Sequence, residues 1–218
     1  MIVSVQRIRW AITLVILAML LLTGSPWGMA LAQEATTSQL AEIPTTGISR
    51  PGPIGSLPVA PGAAQRAGIA PVVIQIDKAA VDAPIERVDI INGVMQNPTG
   101  PWVVSWYQEL PGLGSGSNVV MAGHVDYWDV GPAVFWNLKD LRDGDVIRVM
   151  GEDQSVFTYR ILSMKNYVTA DLTPEIIQQE IVGPTKTETL TLITCGGPFD
   201  YQRGEYLERM VVRAARMK

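Results

Sequence analysis

Short apolar runs that alternate with polar residues, cut apart by Gly- and Pro-rich turns, constrain this chain more than any other feature. From position 69 onward the pattern recurs. Val72 to Asp77 predicts a first strand and Ile85 to Ile91 a second, with Asn92-Gly93 as a turn signal. Trp102 to Tyr107 is a short apolar stretch, and 111–117 (Pro-Gly-Leu-Gly-Ser-Gly-Ser) is a loop leading into a strand that ends at His124. A loop covers 125–132. Ala133 to Leu141 predicts one or two helical turns with Val134, Phe135 and Leu138 inward. Asp145 to Met150 and Ser155 to Met164 predict a hairpin across 151–154. Thr173-Pro174-Glu175 opens a short helix to about Glu180, with proline just inside its start. Residues 189–196 and Tyr206 to Ala214 are the last two strands. Many short strands with two brief helices argue for an all-β barrel or sandwich.

The stretch Thr189-Leu190-Thr191-Leu192-Ile193-Thr194-Cys195-Gly196 is the strand around which the rest is arranged. It stops at Cys195, and Gly196-Gly197-Pro198 follows, so a ligand can approach the sulfur. Cys195 is the only cysteine of the 218 residues and His124 the only histidine. Each stands at a strand end, the arrangement a cysteine nucleophile with a general acid/base requires. Acyl transfer also needs a donor for the developing oxyanion. Arg203 in the last loop and Arg209 in the final strand are candidates, because a guanidinium keeps its charge and presents several donors. Arg209 shares a face with Val211, and pairing of the last two strands would bring it level with the thiol. Taken singly, each residue has an ordinary alternative: a buried inert thiol, a capping histidine, a solvated edge arginine.

Composition narrows the function. One cysteine excludes an internal disulfide, and one cysteine with one histidine excludes a Cys-rich zinc site. The net charge of −4, with no basic stripe, argues against nucleic acid as a partner. At the N-terminus Arg7 and Arg9 precede the apolar run Ala11 to Leu22, so the rest of the chain is expected outside the cytoplasm. Residues 1–32 read either as a signal anchor from Trp10 to about Ala32, or as a signal peptide cleaved after Ala30-Leu31-Ala32. Residues 33–68, with Pro44, Pro51, Pro53, Pro58 and Pro61, read as an extended linker. Residues 69–218 are expected to form the one folded domain, long enough for a proper core.

At these motifs the chain resembles the sortase family. The run Leu192-Ile193-Thr194-Cys195, with Arg209 in a final strand, is similar to that family's signature, and Ala122-Gly123-His124 resembles its histidine motif. Cys195-Gly196-Gly197-Pro198-Phe199-Asp200, Gly123-His124-Val125-Asp126 and Gly131-Pro132-Ala133-Val134-Phe135 look most like class F sortases. The resemblance covers about residues 70–216. It implies a closed eight-stranded β-barrel with short helices behind a membrane tether. It also implies a transpeptidase with Cys195 as nucleophile, His124 as general acid/base and Arg209 as oxyanion or substrate clamp. Thr194 would add a hydrogen bond to the acyl intermediate. Class F members often carry Asn near the start of the last strand and Arg in the preceding loop, so Arg203 is the rival to Arg209.

The implied substrates are proteins with a C-terminal sorting signal of the Leu-Pro-x-Thr-Gly kind, and the implied acceptor is an amine such as a cell-wall precursor. No acidic cluster resembles the calcium site of class A enzymes, so neither metal nor cofactor is expected. The linker segment Ile43-Pro44-Thr45-Thr46-Gly47 itself resembles a sorting motif, against the plainer reading of a Pro/Thr linker. Two rival readings compete with the sortase resemblance. An L,D-transpeptidase would carry Ser-x-Gly directly before its cysteine, where this chain has Leu192-Ile193-Thr194. The other rival is a non-catalytic, membrane-tethered β-barrel module that binds a peptide.

Overall fold

The computed structural model describes residues 68–218. The membrane segment expected at 1–32, and the expected linker over 33–67 with its Ile43–Gly47 motif, lie outside the described residues. Among the described residues no helix is long and apolar enough to cross a membrane.

Eight strands close into a barrel: β1 (Pro71–Ile76), β2 (Val81–Val88), β5 (Val104–Tyr107), β6 (Asn118–Ala122), β9 (Val146–Gly151), β10 (Val156–Val168), β11 (Thr189–Asp200) and β12 (Glu205–Arg216). Two small hairpins lie outside it, β3 (Ile90–Ile91) with β4 (Val94–Met95), and β7 (Asp126–Tyr127) with β8 (Gly131–Pro132). Around the barrel the order is β1-β2-β5-β6-β11-β12-β10-β9, and β9 pairs back onto β1. Closure leaves this sheet without an open edge. The contacts β2–β5 and β6–β11 are parallel and the other six antiparallel. Parallel neighbours need a crossover. The β3–β4 hairpin lies in the first, and the β9–β10 hairpin and the helical segment lie in the second.

Strand alternation builds two apolar layers from one set of strands. Val119, Met121, Leu190, Leu192, Val212 and Ala214 point into the barrel, where they meet Ile74, Ile147, Tyr159 and Phe135. Val120, Ala122, Ile193 and Val211 point outward and are covered by Leu172, Ile177, Ile181 and Val182. The cover is one short helix, α1 (Pro174–Ile176), continued by a wider π-type turn over Ile177–Val182. Thr173 caps α1 by accepting from the Ile176 N–H at 3.3 Å, and Pro174 occupies its first turn. β11 is therefore buried on both faces through Cys195.

Three sequence expectations change. β11 does not stop at Cys195: it runs on to Asp200 through a register shift between Gly196 and Phe199. The Gly-Gly-Pro run makes a bulge and not a strand end. Gly197 has φ +71° there, and a Cβ on it would lie 2.5 Å from Glu208 Cδ. β2 begins at Val81 and not Ile85, and takes Pro84 opposite Val73. The expected helical turns at 133–141 are a tight 3₁₀ turn over Trp136–Asp140, with Phe135 and Leu138 fully buried. The Asn92-Gly93 turn joins β3 to β4, both residues having positive φ as a two-residue hairpin requires.

One buried side chain holds the helical cover to the barrel. Asn118 Nδ2 donates to the carbonyls of Ile181 at 2.8 Å and Gly183 at 3.1 Å, and Asn118 Oδ1 accepts from Thr191 Oγ1 at 2.7 Å. Asn118→Leu fills the same volume but strands two carbonyls and a hydroxyl without partners. Urea denaturation should show a loss of about 2–3 kcal/mol, with the barrel's far-ultraviolet signal retained below the transition.

Candidate active site

The register of three adjacent strands sets the site. β6 and β11 are parallel, with Ala122 opposite Ile193, and the Gly123 N–H donates to the Ile193 carbonyl at 3.1 Å. Continuing that register two residues places His124 level with Cys195. On the other flank β12 runs antiparallel and sets Arg209 directly opposite Cys195. His124 falls on the side of Ala122, Cys195 on that of Ile193 and Arg209 on that of Val211. All three follow the outward, helix-covered face. Gly123 is small by necessity, because a Cβ there would lie 2.5 Å from the Phe135 ring. The Phe135 N–H donates to the His124 carbonyl at 2.9 Å and fixes the loop behind the imidazole.

Burial governs the electrostatics. Cys195 is 1% exposed, a correction to the open sulfur expected from the glycines after it. Desolvation pushes its thiol up to about 11; Arg209 pulls it down, while Asp126 and Glu205 push it up. His124 is also 1% exposed. Burial lowers its pKa, against the Pro98 carbonyl, Asp126 and Glu86, which raise it. His124 Nε2 lies 3.2 Å from the Pro98 carbonyl oxygen. A carbonyl only accepts, so Nε2 carries the hydrogen and Nδ1 is the nitrogen that gains and loses a proton. The Tyr127 ring stands edge-on to the imidazole at 5.1 Å.

Arg209 is 3% exposed. Its Nη1 donates to the carbonyls of Tyr206 and Glu208, both at 3.0 Å, and to Thr169 Oγ1 at 3.4 Å. Its Nε is buried with no partner, and among the described residues no carboxylate pairs with the guanidinium. A buried cation held by neutral acceptors keeps its charge available for an anionic ligand.

A cavity of about 410 Å³ opens beside Cys195, walled by Val125, Phe135, Trp136, Thr194, Tyr206 and Met210. The Thr194 hydroxyl is buried there without a hydrogen-bond partner. Tyr206 donates to Asp126 Oδ2 at 2.6 Å and ties the start of β12 to the loop after His124. Lys139 Nζ sits 3.9 Å over the Trp136 ring at the rim. Arg203 stands apart at the tip of the β11–β12 hairpin, its side chain 67% exposed and 3.6 Å from Asp200 Oδ2. The structure thus brings Cys195, His124, Arg209 and Thr194 together and leaves Arg203 outside that group. Among the described residues no group of three or more His, Cys, Asp or Glu is placed to hold a metal ion.

The sequence pattern assigned no role in the site to Asp126, Tyr206, Pro98 or Glu86. Asp126 was within reach, two residues past the sole histidine. Pro98 acts through a backbone carbonyl, which no residue pattern announces.

The fold is thus a closed eight-stranded β-barrel that sets a cysteine, a histidine and an arginine level on three adjacent strands. The sortase domain family matches residues 74–217, and the chain belongs to the sortase family. Sortases are transpeptidases with a cysteine nucleophile that act on proteins carrying sorting signals. No curated protein matches the chain in sequence. Among solved structures it is similar to a Clostridium perfringens sortase D5 transpeptidase at 20% identity, over 69% of this chain and 79% of that one, with a TM-score of 0.50. It is similar to a lid mutant of Corynebacterium diphtheriae sortase A at 20% identity, over 71% and 74%, with a TM-score of 0.52. Sortase C-1 from Actinomyces oris shares 22% identity over 69% and 76%, with a TM-score of 0.51. These likenesses show the fold.

Alkylation reads the thiol directly, because iodoacetamide attacks the thiolate. The rate at Cys195 should keep climbing past pH 9 toward a midpoint near 11, where an ordinary thiol has already levelled off. Arg209 stabilises the thiolate, so Arg209→Met should move the profile to higher pH and slow alkylation at pH 8. An unchanged profile in that variant would place the guanidinium out of reach of the sulfur.

Proposed function

We propose that the chain is a cysteine transpeptidase that cleaves a Leu-Pro-x-Thr-Gly-like sorting motif between Thr and Gly and transfers the protein to an amine on the cell envelope. The observation that carries the reading is the pairing of Cys195 with a buried guanidinium that no carboxylate among the described residues neutralises. A cation buried in that state is costly unless an anion meets it during the reaction.

The Cys195 sulfur attacks the carbonyl carbon of the motif's Thr. The thiol proton passes to Nδ1 of His124, and negative charge gathers on the carbonyl oxygen. Arg209 faces that charge, and the Thr194 hydroxyl, unpartnered in the resting site, is a second donor. Collapse breaks the Thr–Gly amide bond. The imidazolium returns its proton to the leaving amine, and a thioester links Thr to Cys195. An incoming amine then attacks the thioester, loses its proton to His124 and restores the thiol. Water in the amine's place gives slow hydrolysis.

With the thiol near 11 and the imidazole lowered, both groups are neutral at pH 7, and roughly one thiol in ten thousand is ionised. Water exclusion and Arg209 compensate, because both gain strength in a dry site. The rival peptide-binding module fits a buried thiol equally well. It gives no reason for a buried guanidinium, an unpartnered hydroxyl and an imidazole fixed in one tautomer on neighbouring strands.

Finer assignments belong to the same proposal. The motifs from Cys195 to Asp200, Gly123 to Asp126 and Gly131 to Phe135 support class F membership. Arg209, and not Arg203, is the arginine assigned to the reaction. The N-terminal segment is assigned as a single-pass membrane anchor, with the linker holding the domain outside the cytoplasm.

Cys195→Ala should abolish cleavage of a Leu-Pro-x-Thr-Gly peptide and leave the melting temperature almost unchanged. Wild-type protein mixed with a library of sorting peptides should show, by mass spectrometry, an acyl adduct on Cys195 ending in Thr. Normal cleavage by the alanine variant would end the assignment.

A further inference from the structure

The imidazole is held by a loop that has little structure of its own. Residues 96–103 join β4 to β5 with the run Asn97-Pro98-Thr99-Gly100-Pro101, which forms neither helix nor strand. This loop supplies the carbonyl that fixes His124. One end is tied where the Val134 N–H donates to the Pro101 carbonyl at 2.9 Å. The other is tied where the Gln96 N–H donates to the Asp89 carbonyl at 3.2 Å and the Tyr107 hydroxyl to the Gln96 carbonyl at 3.0 Å. Between them, beside Pro98, Glu86 of β2 grips Thr99 twice: Oε1 accepts from the Thr99 N–H at 2.6 Å and Oε2 from its hydroxyl at 2.8 Å. Glu86 stands opposite Ser105, Ser105 opposite Ala122 and Ala122 opposite Ile193, two residues before His124 and Cys195. Both of its carboxylate oxygens are taken up by Thr99.

We propose that Glu86 is a positioning residue for the acid/base: by clamping Thr99 it holds the Pro98 carbonyl against the Nε2–H of His124. The inference rests on reading His124 as the proton carrier. Burial disfavours the imidazolium, yet the leaving amine must be protonated by it. Two features oppose that cost, an acceptor kept on Nε2 in both protonation states and a carboxylate nearby, and Glu86 supplies the first indirectly and the second directly. The other groups at the imidazole are Asp126 on its own loop, the Tyr127 ring edge, and the Cys195 thiol and Arg209 guanidinium level with it on β11 and β12. None of these bonds to the Pro98–Thr99 segment.

Because His124 is the only histidine, its imidazole resonance can be titrated by NMR in the full-length chain purified in detergent. Glu86→Ala removes clamp and charge, so the His124 pKa should fall. The kcat for a sorting peptide should drop about tenfold, less than the roughly 100-fold or more that outright loss of a general acid–base group costs, with KM changed less than about twofold. Glu86→Gln keeps an acceptor for the Thr99 N–H and a donor for its hydroxyl, and should recover most of kcat while the pKa recovers only in part. The proposal is overturned if the imidazole titrates in Glu86→Ala as in wild type, or if Glu86→Gln is as slow as Glu86→Ala, since charge alone would then account for the effect. Should Glu86→Ala fail to fold, Thr99→Val removes the hydroxyl contact alone, and an unmoved His124 pKa there rejects the clamp. Should no form of the protein cleave the peptide, the transpeptidase reading falls and the titration still decides the clamp.

Discussion

Everything in the site follows from β11 being hydrogen-bonded on both sides, parallel to β6 and antiparallel to β12. A strand so placed has no freedom to slip: a shift of one residue would turn Leu190 and Leu192 out of the barrel and Ile193 into it. The apolar layers on its two faces therefore fix its register, and the register places Cys195 against Arg209 to the residue. His124 follows because β6 carries its own alternation of Val119 and Met121 inward, Val120 and Ala122 outward. Catalytic geometry and core packing are one constraint here. This is why Asn118, remote from the sulfur in sequence, belongs to the scaffold of the site: it ties the helical cover to the two strands that carry the thiol and the imidazole.

The same burial works against the chemistry. It raises the thiol, lowers the imidazole and leaves a guanidinium without a carboxylate. An exposed site would ionise more readily but would screen Arg209 with water and weaken its hold on an oxyanion. The structure takes the other course. It keeps the Cys195 thiol protonated at rest and buries two unsatisfied donors close by, Thr194 Oγ1 and Arg209 Nε. Thr194 and Cys195, consecutive and therefore on opposite faces of β11, both reach the cavity because the bulge at Gly196–Phe199 turns the strand just beyond them.

The strands were legible in the sequence because alternation is a local property. Barrel against sandwich was not, since closure depends on β9 meeting β1, a pairing no local pattern encodes. The family resemblance supplied it. Cys195, His124 and Arg209 stood out through rarity and placement, and the level pairing of the first with the third followed from assuming adjacent strands. What the residues concealed was burial. Gly196 and Gly197 read as open space around the sulfur, whereas Gly197 is small because Glu208 packs over it. The loop at 96–103 read as a connection. Its role lies in a backbone carbonyl, and in a glutamate 13 residues from the threonine it grips.

A lone thiol also faces a chemical hazard in the extracytoplasmic setting proposed for this domain. Oxidation to a sulfenic acid, like alkylation, proceeds through the thiolate and requires access. Cys195 in the resting barrel offers little of either, and no second cysteine exists to resolve an oxidised one. The burial that makes the nucleophile slow therefore also makes it durable. In the proposed reaction, a substrate that fills the cavity and presents its carbonyl to Arg209 would supply the missing stabilisation only when the sulfur has a productive partner. Reactivity would then be coupled to occupancy: the raised thiol pKa is the resting half of a site that the proposed peptide completes.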